Sequence, residues 1–570
     1  MQLCGLLTFS IIGAGAELAT LGALIPFLSV LANPTKVISY PLVDSILPAS
    51  VAGNQKNIVI LATLIFGTII LLAAVIRLIL SWATVKFTQG LGYELGIRAY
   101  TQTLHKPYQY HLTQNTSDII AGLAKVDTVI LGILTPLMNA LIAIIMIAAI
   151  LIGLAFINWR VALLTMALLS ALYVILIIYS KNQVSQNSKI ISSFASLKVQ
   201  ALQEGLGGVR DIILDGSQKF HVERFSAYDA LSRRAYTQIT LWGQMPRYIV
   251  EALGVGIISA FAVFLAIRSG GIGGTIPTLG ALALGAQKLL PLFQQVYAGY
   301  NSLFGNVGNL EDVARLAGPF SYTDSFNRTV ESNITLENEI CLSNVGFRYN
   351  DDSPWILKNI TVVLKKGSRL GIVGRTGGGK STFLDIVMGL IEVCEGTVSV
   401  DGEVLKSNNI RQWQKKIAHV PQHIFLRDAS IAENIALGQP HERIDISRME
   451  RAAKLALIDG FIEELPEKYM TKVGERGVRL SGGQRQRIGI ARALYRESEV
   501  LVLDEATSAL DEKTEAKVME NIHRLHPDLT ILIVAHRLST LAACDAILDI
   551  EKVKETQQAS SIQPQQRITN

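Results

Sequence analysis

Six long apolar stretches in the first 310 residues or so constrain the fold of this 570-residue chain more than any other feature. They lie at about 3–31, 58–83, 129–157, 161–180, 246–267 and 276–305. Each approaches or exceeds the roughly 18 to 20 residues that an α-helix needs to cross a bilayer. Lipid cannot satisfy backbone hydrogen bonds, so such stretches cross as helices. The N-terminal half is therefore predicted to be a bundle of six transmembrane helices with both ends on one side.

Basic residues indicate the orientation of this bundle. The loops at about 84–128 and 181–245 carry most of the Lys and Arg between the apolar stretches, and such loops stay in the cytoplasm. The C-terminal half then lies in the cytoplasm as well. The formal net charge of +5 is explained by this asymmetry, so no nucleic-acid partner is predicted.

The C-terminal half contains a Gly-rich loop, Gly374–Ser381, of the P-loop type. Its backbone N–H groups can surround the β- and γ-phosphates of a nucleotide, Lys380 supplies a positive charge, and Ser381 offers a hydroxyl to Mg²⁺. Tyr349 is predicted to stack on adenine rather than to pack in the core. The nucleotide contacts predicted in the loop are Gly374, Arg375, Thr376, Gly377, Gly378, Gly379, Lys380, Ser381 and Thr382.

Two carboxylates follow the apolar run 501–503, which is typical of a buried parallel strand. They would lie at the carboxyl edge of a sheet, where such sheets bind ligands. Asp504 is predicted to hold Mg²⁺ through water and Glu505 to polarise the attacking water. The amide of Gln422 is predicted to meet Mg²⁺ and the same water, and His536 is predicted to reach the γ-phosphate. ATP and Mg²⁺ are thus the expected cofactors.

This motif series, with Leu480–Gln484 between the P-loop and Asp504, resembles that of ABC exporter half-transporters over the whole C-terminal domain. In that family the equivalent of 480–484 closes over ATP held by a second copy. The resemblance implies a type I ABC exporter, with six transmembrane helices fused to an α/β P-loop NTPase domain. It further implies a homodimer, because every ATP-site motif is intact. The additional nucleotide contacts that it implies are Ser481, Gly482, Gly483, Gln484 and Asp511.

Four regions are expected on this basis. They are a transmembrane domain with cytoplasmic helical extensions at 1–312, a linker at 313–336, an ABC ATP-binding domain at 337–556 and a disordered Gln- and Ser-rich tail at 557–570. Segments around 110–118 and 211–225 are the candidates for the elbows that couple the two domains.

Ionisable residues within the predicted transmembrane helices are costly and therefore indicate function or pairing. The substrate candidates are Glu17, Arg77, Arg247 and Lys288. One interpretation is a Glu17–Arg77 ion pair that only locks two helices, with Arg247 extending to the membrane surface. The other is a cavity in which Arg77, Arg247 and Lys288 accept an anionic head group such as pyrophosphate.

A closer resemblance in the membrane half is to the flippases of lipid-linked oligosaccharides used in bacterial protein glycosylation. It is carried by Glu17, Arg77, Pro246–Tyr248 with Glu251, and Lys288–Pro291. The chain departs from that family at Gln294-Gln295, where a second basic residue is usual. The resemblance implies ATP-driven movement of a lipid-linked oligosaccharide or polysaccharide precursor across the inner (plasma) membrane by alternating access.

Two other functions stay open. An exporter of lipids or amphipathic drugs would have the same apolar helices. An ATPase-gated sensor or channel without active transport is a function of another class. Intact Glu505 and His536 argue against the sensor, because a sensor has less need of a competent hydrolytic site.

Overall fold

The computed structural model describes residues 2–32, 55–268, 276–318, 334–535, 537, 541–551 and 563–564. The chain divides into two compact units. The first comprises Met1–Lys106 and Tyr110–Thr323, and the second comprises Pro107–Gln109 and Asp324–Asn570.

The described part of the first unit is helical, because runs of Leu, Ile, Ala and Val contain few residues that interrupt a helix. The long helices are α1 (Gln2–Ala32), α2 (Gln55–Leu104), α4 (Thr116–Val129), α5 (Thr135–Gly207), α7 (Gln218–Arg268) and α8 (Ile276–Gly305), and the shorter ones are α3 (Tyr108–Thr113), α6 (Val209–Asp215) and α9 (Val307–Ala317). A π-helical turn, Ile130–Leu134, joins α4 to α5. Within the described residues, three helical segments are long and apolar enough to cross a membrane: Leu3–Leu28, Lys56–Leu104 and Thr116–Phe156.

Helix α5 folds back on itself. Its helical backbone continues from Thr135 to Gly207, which would extend about 110 Å as one straight rod. However, Lys125 Nζ donates a hydrogen bond to the Ser192 carbonyl oxygen at 3.0 Å, across 67 residues of sequence. Tyr297 and Gly299 of α8 also approach Ser180 and Ala140, which lie 40 residues apart within α5. The chain must therefore reverse direction within α5, as separate third and fourth crossings require.

Lys125 is also the centre of a polar cluster between helices, which we name the Lys125 cluster (Lys125, Ser192 and Asp312). Lys125 Nζ lies 2.6 Å from Asp312 Oδ2 and 2.9 Å from Ser192 Oγ. Ser192 Oγ in turn donates to the same Asp312 oxygen at 2.6 Å. The lysine side chain is only 7% exposed. The cluster thus connects helices α4, α5 and α9.

A proline inside α7 is compensated by side chains of α8. Pro246 has no N–H, so the carbonyl of Trp242, four residues earlier, loses its helical partner. Tyr297 donates its hydroxyl to this carbonyl at 2.9 Å, and Gln294 Nε2 donates to the Gly243 carbonyl at 3.2 Å. Neighbouring helices commonly satisfy backbone groups in this way where a proline interrupts a membrane helix.

The second unit contains two β-sheets. Its strands are β1 (Glu339–Phe347), β2 (Leu357–Lys365), β3 (Arg369–Val373), β4 (Glu395–Val400), β5 (Glu403–Val404), β6 (Ile417–Val420), β7 (Val500–Asp504), β8 (Thr530–Val534), β9 (Ala546–Asp549) and β10 (Gln563–Pro564). An antiparallel sheet has the order β2-β1-β4-β5, and a second sheet has the order β10-β9-β3-β8-β7-β6. All neighbours in the second sheet are parallel except β10 and β9. The carboxyl ends of β3, β6, β7 and β8 therefore meet at one edge.

Helices accompany these sheets, and buried residues on both form continuous apolar cores. The helices are α10 (Lys380–Val387), α11 (Ile410–Lys415), α12 (Ile431–Ile435), α13 (Ile446–Leu455), α14 (Asp459–Glu463), α15 (Gly482–Tyr495) and α16 (Glu512–Leu525). Of the predicted tail, the structure describes only the two residues of β10, which pair with Ala546 and Ile547.

Candidate functional site

The P-loop connects β3 to α10, and its shape depends on glycine. The Gly378 N–H donates to the Arg375 carbonyl at 2.9 Å. A Cβ at Gly378 would lie 2.9 Å from that same oxygen, closer than real Cβ atoms approach backbone. Gly379 has a φ of 103°, in a region that side chains rarely adopt. The tip of the loop, Arg375–Gly377, is exposed, whereas Thr382 is buried in α10.

Lys380 is held inside the loop that precedes it. Its Nζ donates to the carbonyls of Gly374 at 2.8 Å and Arg375 at 3.2 Å. The residue is only 8% exposed, and a buried ammonium requires such partners. The positive charge is therefore fixed beside the backbone that would surround the phosphates.

Two oxygens suitable for Mg²⁺ meet beside the P-loop. Ser381 Oγ, in the first turn of α10, lies 3.2 Å from Asp504 Oδ2 at the end of β7. Hydroxyl and carboxylate oxygens are ligands that Mg²⁺ prefers, so these residues fit the ion. Burial raises the pKa of Asp504, and the hydrogen bond from Ser381 opposes that shift. Burial and the neighbouring Asp504 raise the pKa of Asp385, on α10, to about 6.

Glu505 is paired with Gln422 at the same edge of the sheet. Gln422 Nε2 donates to Glu505 Oε2 at 2.6 Å. The backbone of Glu505 has a φ of 50°, and its N–H donates to the Val534 carbonyl at 3.1 Å. Non-glycine residues in this conformation store strain and cluster at functional sites. The structure thus brings the P-loop, Asp504, Glu505 and Gln422 together, whereas His536 lies outside the described residues.

The adenine candidate lies at the end of β1. The ring of Tyr349 is 39% exposed and makes an edge contact with the buried Phe347, with ring centroids 5.1 Å apart. The Ile356 N–H donates to the Phe347 carbonyl at 2.9 Å. Ile356 also borders the P-loop, since a Cβ at Gly379 would lie 3.1 Å from its Cγ2. The end of β1 therefore lies next to the P-loop, and the exposed part of the Tyr349 ring is available for stacking.

The residues 480–484 form a rigid helix start. Ser481 Oγ accepts the Gln484 N–H at 3.2 Å, and Gln484 Oε1 accepts the Ser481 N–H at 2.7 Å. This reciprocal capping satisfies two donors at the start of α15. A Cβ at Gly483 would lie 3.2 Å from the Ala509 carbonyl oxygen, so glycine permits close approach to the loop 508–511.

The sequence reasoning missed Gln486, which ties α15 to that loop. Its Nε2 donates to Ser508 Oγ at 3.1 Å, and its Oε1 accepts the Ala509 N–H at 2.9 Å. Gln486 is 6% exposed. The available signal was its spacing, because residues four apart, such as Gly482 and Gln486, share one face of a helix.

Glu515 was also missed, and it anchors the other end of the loop. It is buried and accepts hydrogen bonds from Thr507 Oγ1 at 2.8 Å and Arg537 Nη1 at 2.7 Å. The same Arg537 atom donates to the Leu510 carbonyl at 3.0 Å. Asp511, in contrast, caps α16 by accepting the Thr514 N–H at 2.9 Å. Its pKa is lowered chiefly by the hydrogen bond from the Thr514 side chain.

Three of the four substrate candidates meet in the first unit, and we name them the Glu17 cluster (Glu17, Arg77 and Lys288). Glu17 Oε1 lies 3.0 Å from Arg77 Nε, and Glu17 Oε2 lies 2.5 Å from Lys288 Nζ. The ammonium of Lys288 also contacts Thr20 Oγ1 at 2.5 Å. The fourth candidate, Arg247, pairs instead with Glu251 on its own helix at 2.9 Å.

Comparison with known proteins agrees with this arrangement. Residues 357–508 match the family profile described as ABC transporter. A solved structure described as a bacterial Atm1-family ABC exporter with ATP bound aligns with a TM-score of 0.77 at 22% identity, covering 96% of this chain and 93% of that one. The predicted fold class is thereby confirmed.

Two relatives extend the match over both units. An ATP-dependent lipid A-core flippase of Saccharophagus degradans is 30% identical over 79% of this chain and 75% of that protein. One of Cupriavidus metallidurans is 27% identical over 83% of this chain and 80% of that protein. The chain belongs to the ABC transporter family as a half-transporter, in which apolar helices and one ATP-hydrolysing unit share a polypeptide.

Proposed function

We propose that this protein is an ATP-driven flippase that moves a lipid-linked oligosaccharide or polysaccharide precursor across the cytoplasmic membrane by alternating access. The observation that carries the proposal is the Glu17 cluster, a group of ionised side chains on apolar helices of a chain that also has a complete set of ATP-site motifs. Ionisable residues within membrane-spanning helices are rare and commonly mark substrate pathways.

Different residues of the ATP site bind the phosphates, hold Mg²⁺ and activate the attacking water. The P-loop amides and Lys380 bind the phosphates, while Ser381, Asp504 and the amide of Gln422 hold Mg²⁺, which neutralises phosphate charge when bound. Glu505 polarises the attacking water. The hydrogen bond from Gln422, at 2.6 Å, fixes the orientation of the Glu505 carboxylate for this role. His536 is assigned to the γ-phosphate from its position in the sequence.

Two copies of the chain form the working transporter in this proposal. The start of α15, with Ser481, Gly482, Gly483 and Gln484, faces the ATP held by the other copy, and Asp511 lies at the same interface. The N-terminus of a helix suits a phosphate because its N–H groups and dipole favour negative charge. The helices lie in the inner membrane, and the ATP-binding unit faces the cytoplasm.

The relatives named lipid A-core flippases support a lipid substrate, and they also favour a second candidate. In that candidate the protein exports other lipids or amphipathic molecules. A sensor or channel without active transport is disfavoured, because the pairing of Glu505 with Gln422 provides the parts of a hydrolytic site.

The proposal is tested in proteoliposomes with fluorescent prenyl-linked oligosaccharides, joined through either one phosphate or a pyrophosphate. ATP-dependent movement across the bilayer is measured for wild type, for Glu505→Gln as the inactive control, and for Glu512→Gln as a matched surface control. Movement in wild type and Glu512→Gln alone supports the flippase. Healthy ATP hydrolysis without movement of either glycan, together with movement of lipid A-type lipids, would replace it by the second candidate.

A further inference from the structure

The Glu17 cluster contains one more positive than negative charge. Glu17 is buried, with a side chain only 5% exposed, and each of its two carboxylate oxygens is paired with a different cation. A buried carboxylate that loses a partner is strongly destabilised. An incoming anion that drew Lys288 away from Glu17 would therefore break an ion pair that stabilises the fold.

The three side chains differ in accessibility. Arg77 is 51% exposed, whereas Lys288 is 24% exposed and already has two contacts, with Glu17 and Thr20. Arg77 meets Glu17 through Nε, so its two Nη groups stay available for a second planar contact. A guanidinium is suited to binding two oxygens of one phosphate group, which an ammonium cannot do with fixed geometry.

We propose, resting on the flippase function above, that Arg77 alone contacts the anionic head group of the substrate. Glu17 positions the guanidinium, and Lys288 balances the charge of Glu17. The cluster then has one positive charge that Glu17 does not balance, and this charge lies on Arg77. A head group with one negative charge, a phosphodiester, is neutralised there, whereas a pyrophosphate diester would leave a second charge unpaired in a low-dielectric setting. The site therefore selects a phosphodiester-linked lipid.

The test uses three prenyl lipids with the same tail and sugar, joined through an ether, a phosphodiester or a pyrophosphate. Their binding to the full-length protein is measured in phosphatidylcholine nanodiscs. For wild type we expect the phosphodiester to bind about tenfold tighter than the other two. Arg77→Lys should lose this preference, because an ammonium cannot hold two phosphate oxygens in the fixed planar geometry of a guanidinium.

Two variants separate charge balance from direct contact. Lys288→Met removes the surplus charge and should weaken phosphodiester binding by about tenfold. The double variant Glu17→Gln with Lys288→Met restores one surplus charge and should recover most of the affinity. Lys86→Met, a matched change elsewhere on α2, should leave binding unaltered. Glu17→Gln alone should shift the preference to the pyrophosphate.

If Lys288 itself contacts the head group, the double variant stays as weak as Lys288→Met, and the proposal is wrong. Equal binding of the charged and neutral lipids by wild type would also overturn it, while leaving the flippase function standing. Failure of wild type to bind any of the three lipids would overturn both.

Discussion

At the scale of single residues, Glu505 has an unusual backbone conformation and a carboxylate held by a hydrogen bond. It has a left-handed backbone at a φ of 50°, and its carboxylate is held by Gln422 at 2.6 Å. A conformation that costs free energy persists when its surroundings over-determine it. Here the parallel strands β7 and β8 fix the backbone, because the Glu505 N–H continues their hydrogen bonding to Val534.

Replacing Glu505 by Gln should stop hydrolysis without stopping ATP binding. The amide retains the volume of the carboxylate but cannot polarise water, so the rate of ATP hydrolysis should fall by about a hundredfold or more. The measurement is steady-state hydrolysis together with ATP binding by the purified protein. Glu512→Gln, at the start of α16, is the control. Rapid ATP hydrolysis by Glu505→Gln would show that Glu505 does not polarise the attacking water.

A pH dependence follows from Asp385, whose pKa is raised to about 6 by burial and by Asp504. The folded protein takes up a proton at this pH, whereas the unfolded chain does so only near pH 4. Above pH 6 the ionised Asp385 carboxyl therefore lowers the free energy of unfolding by its full amount. This destabilisation disappears as the pH falls to about 4.

Asp385→Asn should consequently stabilise the protein at pH 8 by about 1–2 kcal/mol, a value reduced for partial exposure to solvent. The gain should be about half as large at pH 5. Thermal unfolding of the nucleotide-free protein at the two pH values measures it, with the exposed Asp528→Asn as the control. An equal gain at both pH values would contradict the assigned cause.

At the scale of secondary-structure elements, the hydroxyl of Tyr297 on α8 contributes one of the hydrogen bonds that join α7 to α8. Tyr297 is 1% exposed and donates to the carbonyl that Pro246 leaves without a helical partner. Tyr300, three residues later, has a buried hydroxyl with no hydrogen-bond partner in the described part of the chain. The two tyrosines thus provide a matched comparison on one helix.

Tyr297→Phe should destabilise the protein by about 1–3 kcal/mol, because a buried carbonyl is left unsatisfied. Tyr300→Phe should be close to neutral. In a Pro246→Ala background the N–H of residue 246 can bond to Trp242, so Tyr297→Phe should then cost much less. Thermal unfolding of the four proteins measures this coupling. A cost for Tyr297→Phe that does not depend on residue 246 would show that the hydroxyl acts elsewhere.

At the scale of the whole molecule, the sequence predicts most reliably those residues whose chemistry or backbone geometry admits few alternatives. Gly378 and Lys380 belong to this group because the tight loop favours those residue types, and the structure places Asp504, predicted for Mg²⁺, beside Ser381. Contacts between distant segments were not predictable. The sequence suggested Arg77 as the partner of Glu17, but Lys288, 271 residues away, is a second one. Helix rotation and depth decide such pairs, and neither can be read from composition.

The proposed assembly predicts how activity depends on an inactive copy. Lys380→Ala should not bind nucleotide tightly, since the loop loses its fixed positive charge. If both sites of a two-fold dimer must act together, ATP hydrolysis should fall with the square of the fraction of active chains, to about a quarter in an equal mixture. Co-expressed chains with different tags allow the fraction to be set and measured.

A linear fall, to about half in the equal mixture, would mean that each chain works independently. Lys454→Ala, a lysine on α13 outside the P-loop, is the mixing control and should leave activity constant at every ratio.

The Lys125 cluster has a mechanical consequence. A lysine that is 7% exposed and held by an aspartate and a serine on two other helices cannot leave its partners without a large loss of free energy. These hydrogen bonds hold helices α4, α5 and α9 together at this point, so we expect the three helices to move together. Because α9 ends at Ala317, we expect any movement of α4 or α5 to be carried to the C-terminal end of the described residues of the first unit.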